Sequence, residues 1–219
     1  MHLTRTSPAA RLLVACGAAS SLLYVVADVV SALRYPAYDY AGQAISEMSA
    51  IGAPTAELLA PLNTLYSILF ALFGAGVWIA AGDRRSLRWS AGFMIALAAL
   101  SAGWAFSPMH MRGVELTATD TMHLVMSGAS VSLLAAIIIA GGAAFGRGFR
   151  LYSAATLLAM LLFGYLTTLD VPRVAAGEAT PWLGLNERLS FLAWLLWMAF
   201  LSLRLLRERP GASPQPRSE

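Results

Sequence analysis

Titratable side chains are sparse in this chain, and they gather at one set of ends of its long apolar runs. Asp39, Glu47, Glu57, Glu115, Asp120, Asp170, Glu178 and Glu187 fall there with His110 and His123, whereas Asp83, Glu208, Glu219 and His2 lie beside the opposite ends. The remaining acid, Asp28, sits inside an apolar run, about 7.5 Å below its end at the helical rise of about 1.5 Å per residue. A carboxylate at such a depth is costly unless it faces the protein interior and has a partner. Arg34 and Arg188 are the available partners, and two roles stay open: locking its helix in place, or binding and transferring a proton.

Glu47, in Ala44-Ile45-Ser46-Glu47-Met48-Ser49, can act as a general base or ligand. Ser46 beside it points about 100° away on a helix, which argues against a Ser–Glu nucleophile pair. The same residues also read as a capping serine followed by an acid in the first turn. Asp120 and His123 are three apart and so share a helix face, where a carboxylate and an imidazole can orient a proton shuttle. Adding His110 gives two histidines and a carboxylate, a set zinc accepts. With no H-E-x-x-H motif, no third histidine on that side and no thiolate, no metal is expected; the alternative makes Asp120 a helix N-cap and His123 a packed hydrogen-bonding residue. In Asn186-Glu187-Arg188, Asn186 suits an N-cap and Glu187 the positive end of a helix dipole. Arg188 is unfavourable there unless Asp28, Glu47 or a lipid phosphate holds it. Asn63, Trp104 and Tyr165 lie near the same ends and can line a common polar cup, with Trp104 equally suited to belt or core. Tyr35, Tyr38 and Tyr40 suit interfacial anchoring.

The elements that position these groups follow from composition. The chain has 219 residues, 58% of them hydrophobic and only 12% charged, with a mean hydropathy of +0.65. Soluble domains carry about 25% charged residues, so this chain lacks the polar surface to coat a globule and reads as an integral membrane protein. A disordered chain, a disulfide-stapled module and a nucleic-acid binder are excluded on the same grounds, with one cysteine and no concentrated basic patch. A spanning helix needs roughly 20 apolar residues. Six runs qualify, at about 12–33, 58–80, 89–107, 120–145, 151–169 and 187–206. Barrel alternation is absent, so the fold is an all-α bundle of six transmembrane helices within residues 1–206, followed by a disordered tail at 207–219. All fifteen basic residues are arginine, and eleven of them flank the side that carries both termini. The positive-inside rule therefore places both termini in the cytoplasm. Cys16 follows a short lipoprotein-like box, but only four residues separate it from Arg11, fewer than the roughly 7 to 15 of a signal core, so it reads as a small buried hydrophobe in a retained span. Neither an internal repeat nor a pair of broken helices is evident.

The order of a tyrosine-rich loop with Ser46-Glu47, Asn63 in span two, the Phe106-Ser107-Pro108 turn, His123 opening span four and Glu187-Arg188 opening span six resembles the bacterial six-span membrane proteins known as domain of unknown function nine-nine-eight. The resemblance covers most of the chain. It implies a six-helix topology and a shared outer polar cluster at Ser46, Glu47, His123, Glu187 and Arg188, and it implies no activity; the expected residence is the bacterial inner membrane. A looser similarity to lipid-remodelling membrane families is analogy only.

Three functions are compatible with these residues. The first is an outer-leaflet polar pocket that binds or modifies a lipid-like or isoprenoid amphiphile. In it Glu47, His123 and Asp28 transfer protons, and Arg188, Glu187, Ser46, Asn63, Asp120 and Trp104 hold the head group. The second is an accessory subunit whose polar cluster is an ion-pair network. The third, a small transporter, is disfavoured because the middles of spans two to five carry no ionisable residue. The expected partners are membrane lipids or an amphiphilic small molecule; no cofactor is named by the sequence, and a bis-histidine haem is excluded by the placement of His110 and His123 near one surface.

Overall fold

A backbone amide in hydrocarbon has no water to bond, so long apolar segments close their hydrogen bonds internally as helices. The computed structural model describes residues 7–208, and every regular element among them is helical. In chain order these are α1 (Pro8–Arg34), α2 (Ala56–Ala81), α3 (Arg85–Ser101), α4 (Ala118–Ala143), α5 (Arg147–Leu169), the short α6 (Val171–Ala175) and α7 (Leu183–Arg207). Single 3-10 turns at Ser46–Ser49 and Ala102–Phe106 complete the inventory. Six of the helices are long and apolar enough to cross a membrane.

Four helices begin a turn ahead of the apolar runs, α1 at Pro8, α3 at Arg85, α5 at Arg147 and α7 at Leu183, because first-turn residues are helical without having to be hydrophobic. At its other end α3 stops at Ser101, short of the run to 107, where the 3-10 turn Ala102–Phe106 takes over. Arg207 ends α7, so the expected disorder of the tail falls almost wholly on residues 209–219, outside the described residues; His2 and Arg5 lie outside them too.

Each spanning helix packs beside the next, and α7 returns to α1, so the six spans close into a ring. The start of α1 and the end of α7 share one face with the tight turns at 82–84 and 144–146. The opposite face carries the long segments 35–55, 107–117 and 170–182. The α1–α7 seam is antiparallel and tied at heptad intervals. Ser202 donates to the Val14 carbonyl at 2.7 Å, Ser21 to the Leu195 carbonyl at 3.0 Å, and Arg188 to Asp28 at 2.9 Å. A seven-residue repeat keeps one face of each helix on the seam.

The apolar core lies toward the face with the tight turns, around Phe70, Phe73, Val77, Met94, Ile137, Trp194, Trp197 and Met198. Trp197 directs its indole N–H to the Ser153 hydroxyl at 2.9 Å, which removes the one polar atom it carries from hydrocarbon. Large apolar side chains are also widespread on the outside, among them Leu12, Leu22, Leu33 and Leu158, as lipid contact requires.

Close approach of α1 and α2 depends on Gly76, where an added Cβ lies 2.7 Å from the Leu13 and Val14 backbone. Gly76→Ala is expected to destabilise the detergent-solubilised protein by about 1–3 kcal/mol in thermal or denaturant unfolding. Gly128→Ala, where a Cβ meets nothing within 4 Å, is the matched control and should leave stability unchanged.

Candidate functional site

Helix α1 presents Asp28 to the seam one turn inside its last residues, and α7 presents Arg188 opposite. The guanidinium grips the carboxylate with two hydrogen bonds, Nε to Oδ2 at 3.1 Å and Nη2 to Oδ1 at 2.9 Å. Both residues are buried, at 7% and 8% exposure. The Tyr40 hydroxyl donates to the same carboxylate at 2.5 Å, and the Tyr40 ring lies 3.7 Å from the guanidinium carbon. Arg188 spends its remaining donors on the connection above it. Nη1 donates to the Tyr40, Gln43 and Gly184 carbonyls at 2.8, 3.2 and 3.1 Å, and Nη2 to the Tyr38 hydroxyl at 2.9 Å. Burial pushes the Tyr38 and Tyr40 phenols up, and at Tyr40 the bond to Asp28 pushes further, so both stay protonated donors at neutral pH.

Glu47, fully buried in the 3-10 turn, repeats this arrangement. Arg112, from the segment between α3 and α4, reaches it with Nε to Oε2 at 2.8 Å and Nη2 to Oε1 at 2.7 Å. The Ala44 N–H donates to Oε1 at 2.9 Å and the Gln43 side chain to Oε2 at 3.3 Å. Arg112 in turn donates to the carbonyls of Gly42 and Glu178 and to the Thr180 hydroxyl, so three connections meet at one cation. Its pairing with Glu47 holds the guanidinium above its usual range. Gln43 joins the two ion pairs: its carbonyl accepts from Arg188, and its amide donates to Glu47.

Glu187 accepts the Ile45 N–H on Oε2 at 2.5 Å, while no partner meets Oε1 among the described residues. One helical turn further along α7, Phe191 stacks on Tyr24, with ring centroids 5.1 Å apart, and Tyr24 meets Tyr66 edge-on at 5.2 Å.

Asp120 closes the start of α4, but as the third helical residue rather than the expected cap. Thr117 is the cap, and its N–H and hydroxyl donate to Asp120 Oδ2 at 2.9 and 2.7 Å. The His110 N–H donates to Oδ1 at 2.7 Å, and its ring Nδ1 lies 2.9 Å from Oδ2. His123 turns elsewhere. Its Nδ1 lies 3.0 Å from the Ser107 carbonyl, and its ring meets Trp104 edge-on, centroids 4.9 Å apart. A carbonyl only accepts, so Nδ1 carries the proton, and in the neutral ring Nε2 is then an acceptor, with no partner among the described residues. The set His110, Asp120 and His123 is thereby divided, and among the described residues no three histidine, cysteine or acidic side chains gather as metal ligands.

The structure therefore brings Asp28, Glu47, Glu187 and Arg188 together through the 35–55 connection, pairs His123 with Trp104, and pairs Asp120 with His110. Ser46 opens the 3-10 turn with its hydroxyl unengaged among the described residues, Asn63 is exposed on α2 and Tyr165 is exposed on α5. Tyr38 and Tyr40, read from sequence as interfacial anchors, instead hold Arg188 and Asp28. Asn186 does not cap α7, which begins a turn earlier, so Arg188 lies in its second turn, clear of the unpaired amides. Gln43, Arg112, Thr180 and Gly184 went unread. Gly184 carries the clearest signal: an added Cβ there collides with the Gln43 and Tyr40 carbonyls, and a glycine four residues before a lone intramembrane arginine marks room for acceptors.

A family model described as "Protein of unknown function (DUF998)" matches residues 18–204. No curated protein and no solved structure matches the chain.

Removing one member of a buried ion pair strands the other. Arg188→Ala is expected to lower unfolding free energy by about 3–5 kcal/mol. Asp28→Asn and Arg188→Gln combined should cost less than the sum of the two singles, by about 1–3 kcal/mol in a denaturant double-mutant cycle. Strict additivity would mean that the two residues do not act as a unit.

Proposed function

This chain belongs to the family of proteins of unknown function DUF998, and from that premise we propose that it binds the polar head of a lipid-like amphiphile at the loop-covered face of the bundle. His123 carries the reading. In a face where Asp28, Glu47, Asp120, Arg112 and Arg188 are engaged by the chain's own donors and acceptors, His123 is oriented by Ser107 through Nδ1, and Nε2 has no partner among the described residues. An imidazole in one fixed tautomer is a hydrogen-bond acceptor for a hydroxyl or phosphate head group and a proton acceptor when the head group is acidic. Trp104, edge-on to His123, supplies an amphipathic ring for the neighbouring part of the molecule. Glu187, with one oxygen unpartnered among the described residues, is a second polar group on the same face, carried by α7 and not by α4, and the exposed Asn63 and the hydroxyl of Ser46 lie at the same ends of the spans. The Asp28–Arg188 and Glu47–Arg112 pairs serve as the frame that holds this face in shape.

A second reading has its own support. Because every oxygen of Asp28 and Glu47 is engaged within the chain, the polar cluster also suits an accessory subunit whose ion pairs knit helices and loops and do no chemistry. Lipid that travels with the purified protein separates the two. Head-group analysis by mass spectrometry should find one class enriched over the bulk membrane, and His123→Ala and Glu187→Gln should each reduce that enrichment at least severalfold without loss of thermal stability. A profile identical to bulk lipid, unchanged by both substitutions, would leave the accessory role.

The arginine distribution supports a multi-pass protein of the cytoplasmic membrane with both termini inside. Reporter fusions at either terminus should be active only as cytoplasmic reporters; an extracytoplasmic C-terminus would reverse the assignment of the two faces.

A further inference from the structure

On the opposite face the arginines are treated differently. Arg84 is paired, with Nη1 and Nη2 donating to the two carboxylate oxygens of Glu208 at 2.8 and 3.0 Å. Arg204 lies over Phe145, its guanidinium carbon 4.5 Å from the ring centroid. Arg85 and Arg88, three residues apart in the first turn of α3 and so on one side of it, have no carboxylate within ion-pair reach among the described residues. They line a pocket of about 250 Å³ together with Trp78, Trp89 and Gly92. Arg88 also lies over the Trp78 ring, 5.9 Å from its centroid. Trp78 and Trp89 are 47% and 66% exposed, so the pocket lies on the outer surface of the bundle beside the two arginines. Asp83 is the nearest acid in sequence; it is exposed and pairs with neither arginine.

We propose that this pocket between the end of α2 and the start of α3 is a binding site for one phospholipid with a net anionic head group. Two guanidiniums without internal counter-charge recognise the phosphate, with charge-assisted and in part bidentate bonds. The two indoles wall the glycerol region and the first carbons of an acyl chain, the depth at which tryptophan is favoured. Gly92 supplies the floor: its Cβ position is 3.9 Å from Trp78 and has no other neighbour within 4 Å, so a larger side chain would stand in the space. A bare attraction of surface arginines for an anionic membrane needs the charges and not the cavity, and that difference makes the site testable. It is independent of the His123 face.

The full chain, delipidated in detergent, is presented with equimolar phosphatidylglycerol and phosphatidylcholine and examined by native mass spectrometry. One phosphatidylglycerol should be retained with roughly tenfold preference. Arg85→Gln with Arg88→Gln should abolish the preference. Gly92→Leu, which keeps both charges and fills the cavity, should weaken it severalfold. Arg147→Gln with Arg150→Gln, an equal charge loss on the same face but away from the pocket, should leave it intact. Equal retention of the two lipids overturns the proposal, as does a preference that survives Gly92→Leu; a preference lost equally in the Arg147 and Arg150 variant shows surface charge alone and overturns it too. If millimolar inorganic phosphate displaces the lipid, the pocket is a site for free phosphate and the lipid assignment fails. Should the Arg85 and Arg88 variant not fold, the Gly92 variant decides the matter by itself.

Discussion

The fold is organised around a charge that cannot be left alone. Asp28 lies within a spanning helix, where an unneutralised carboxylate is among the costliest groups a protein can carry, and Arg188 neutralises it. A buried guanidinium then makes a demand of its own, for it presents five N–H donors and accepts nothing. Asp28 takes two of its bonds. One of the rest goes to the Gly184 carbonyl in the first turn of α7; the others need oxygens beyond the helices, whose carbonyls are mostly engaged already. They come from the connection between α1 and α2, which folds down over the seam so that the Tyr40 and Gln43 carbonyls and the Tyr38 hydroxyl point at Arg188. Gly184 makes the descent possible by keeping side-chain atoms out of the way.

Once that connection is down, the second ion pair follows from the first. Drawing Gln43 toward Arg188 carries Ala44 and Glu47 into the protein, where Glu47 is fully buried and in need of a cation. Arg112 arrives from a different connection and, having satisfied Glu47, meets Gly42, Glu178 and Thr180 with its remaining donors. Three loops that share no secondary structure are held as one lid by two arginines, each gripping its carboxylate through Nε and Nη2. Beneath it the α1–α7 seam is sewn by the same chemistry in weaker form, with serine hydroxyls donating to carbonyls at seven-residue steps. The residues joined there are 160 to 188 positions apart, so the ring closes only when the last helix packs against the first.

What the sequence discloses divides along physical lines. Hydrocarbon thickness imposes a length on every span, so six apolar runs and their order were plain. The helix starts at Arg85, Arg147 and Leu183 were not, because hydropathy registers lipid contact while a helix's first turn can be polar. Asp28 and Arg188 stood out because a charge next to hydrocarbon demands explanation. The side chains and backbone of Tyr38, Tyr40 and Gln43, which with Gly184 complete their shells, lie in a loop where polar residues are ordinary. Three of the five contacts beyond the ion pair are backbone carbonyls, which leave no trace in residue identity. His123 was visible as an unusual residue, but its tautomer depends on the Ser107 carbonyl, another backbone atom.

Saturation at the lid gives meaning to the few atoms left over. In a water-exposed protein an unbonded imidazole nitrogen is unremarked, because solvent occupies it. Among the described residues His123 Nε2 and one Glu187 oxygen have no partner although they sit beside the buried pairs, whereas Arg34, Glu57 and Glu115 of the same face are exposed. The arginine-rich face inverts the pattern, since there the unspent groups are cations. Phosphates at a bilayer surface are ready counter-charges for cations at the end of a span, so leaving such cations unpaired within a chain costs little there. On the lidded face the internal pairs take up the buried charges and leave an imidazole nitrogen and one carboxylate oxygen over, while on the other face Arg85 and Arg88 have no carboxylate within reach among the described residues.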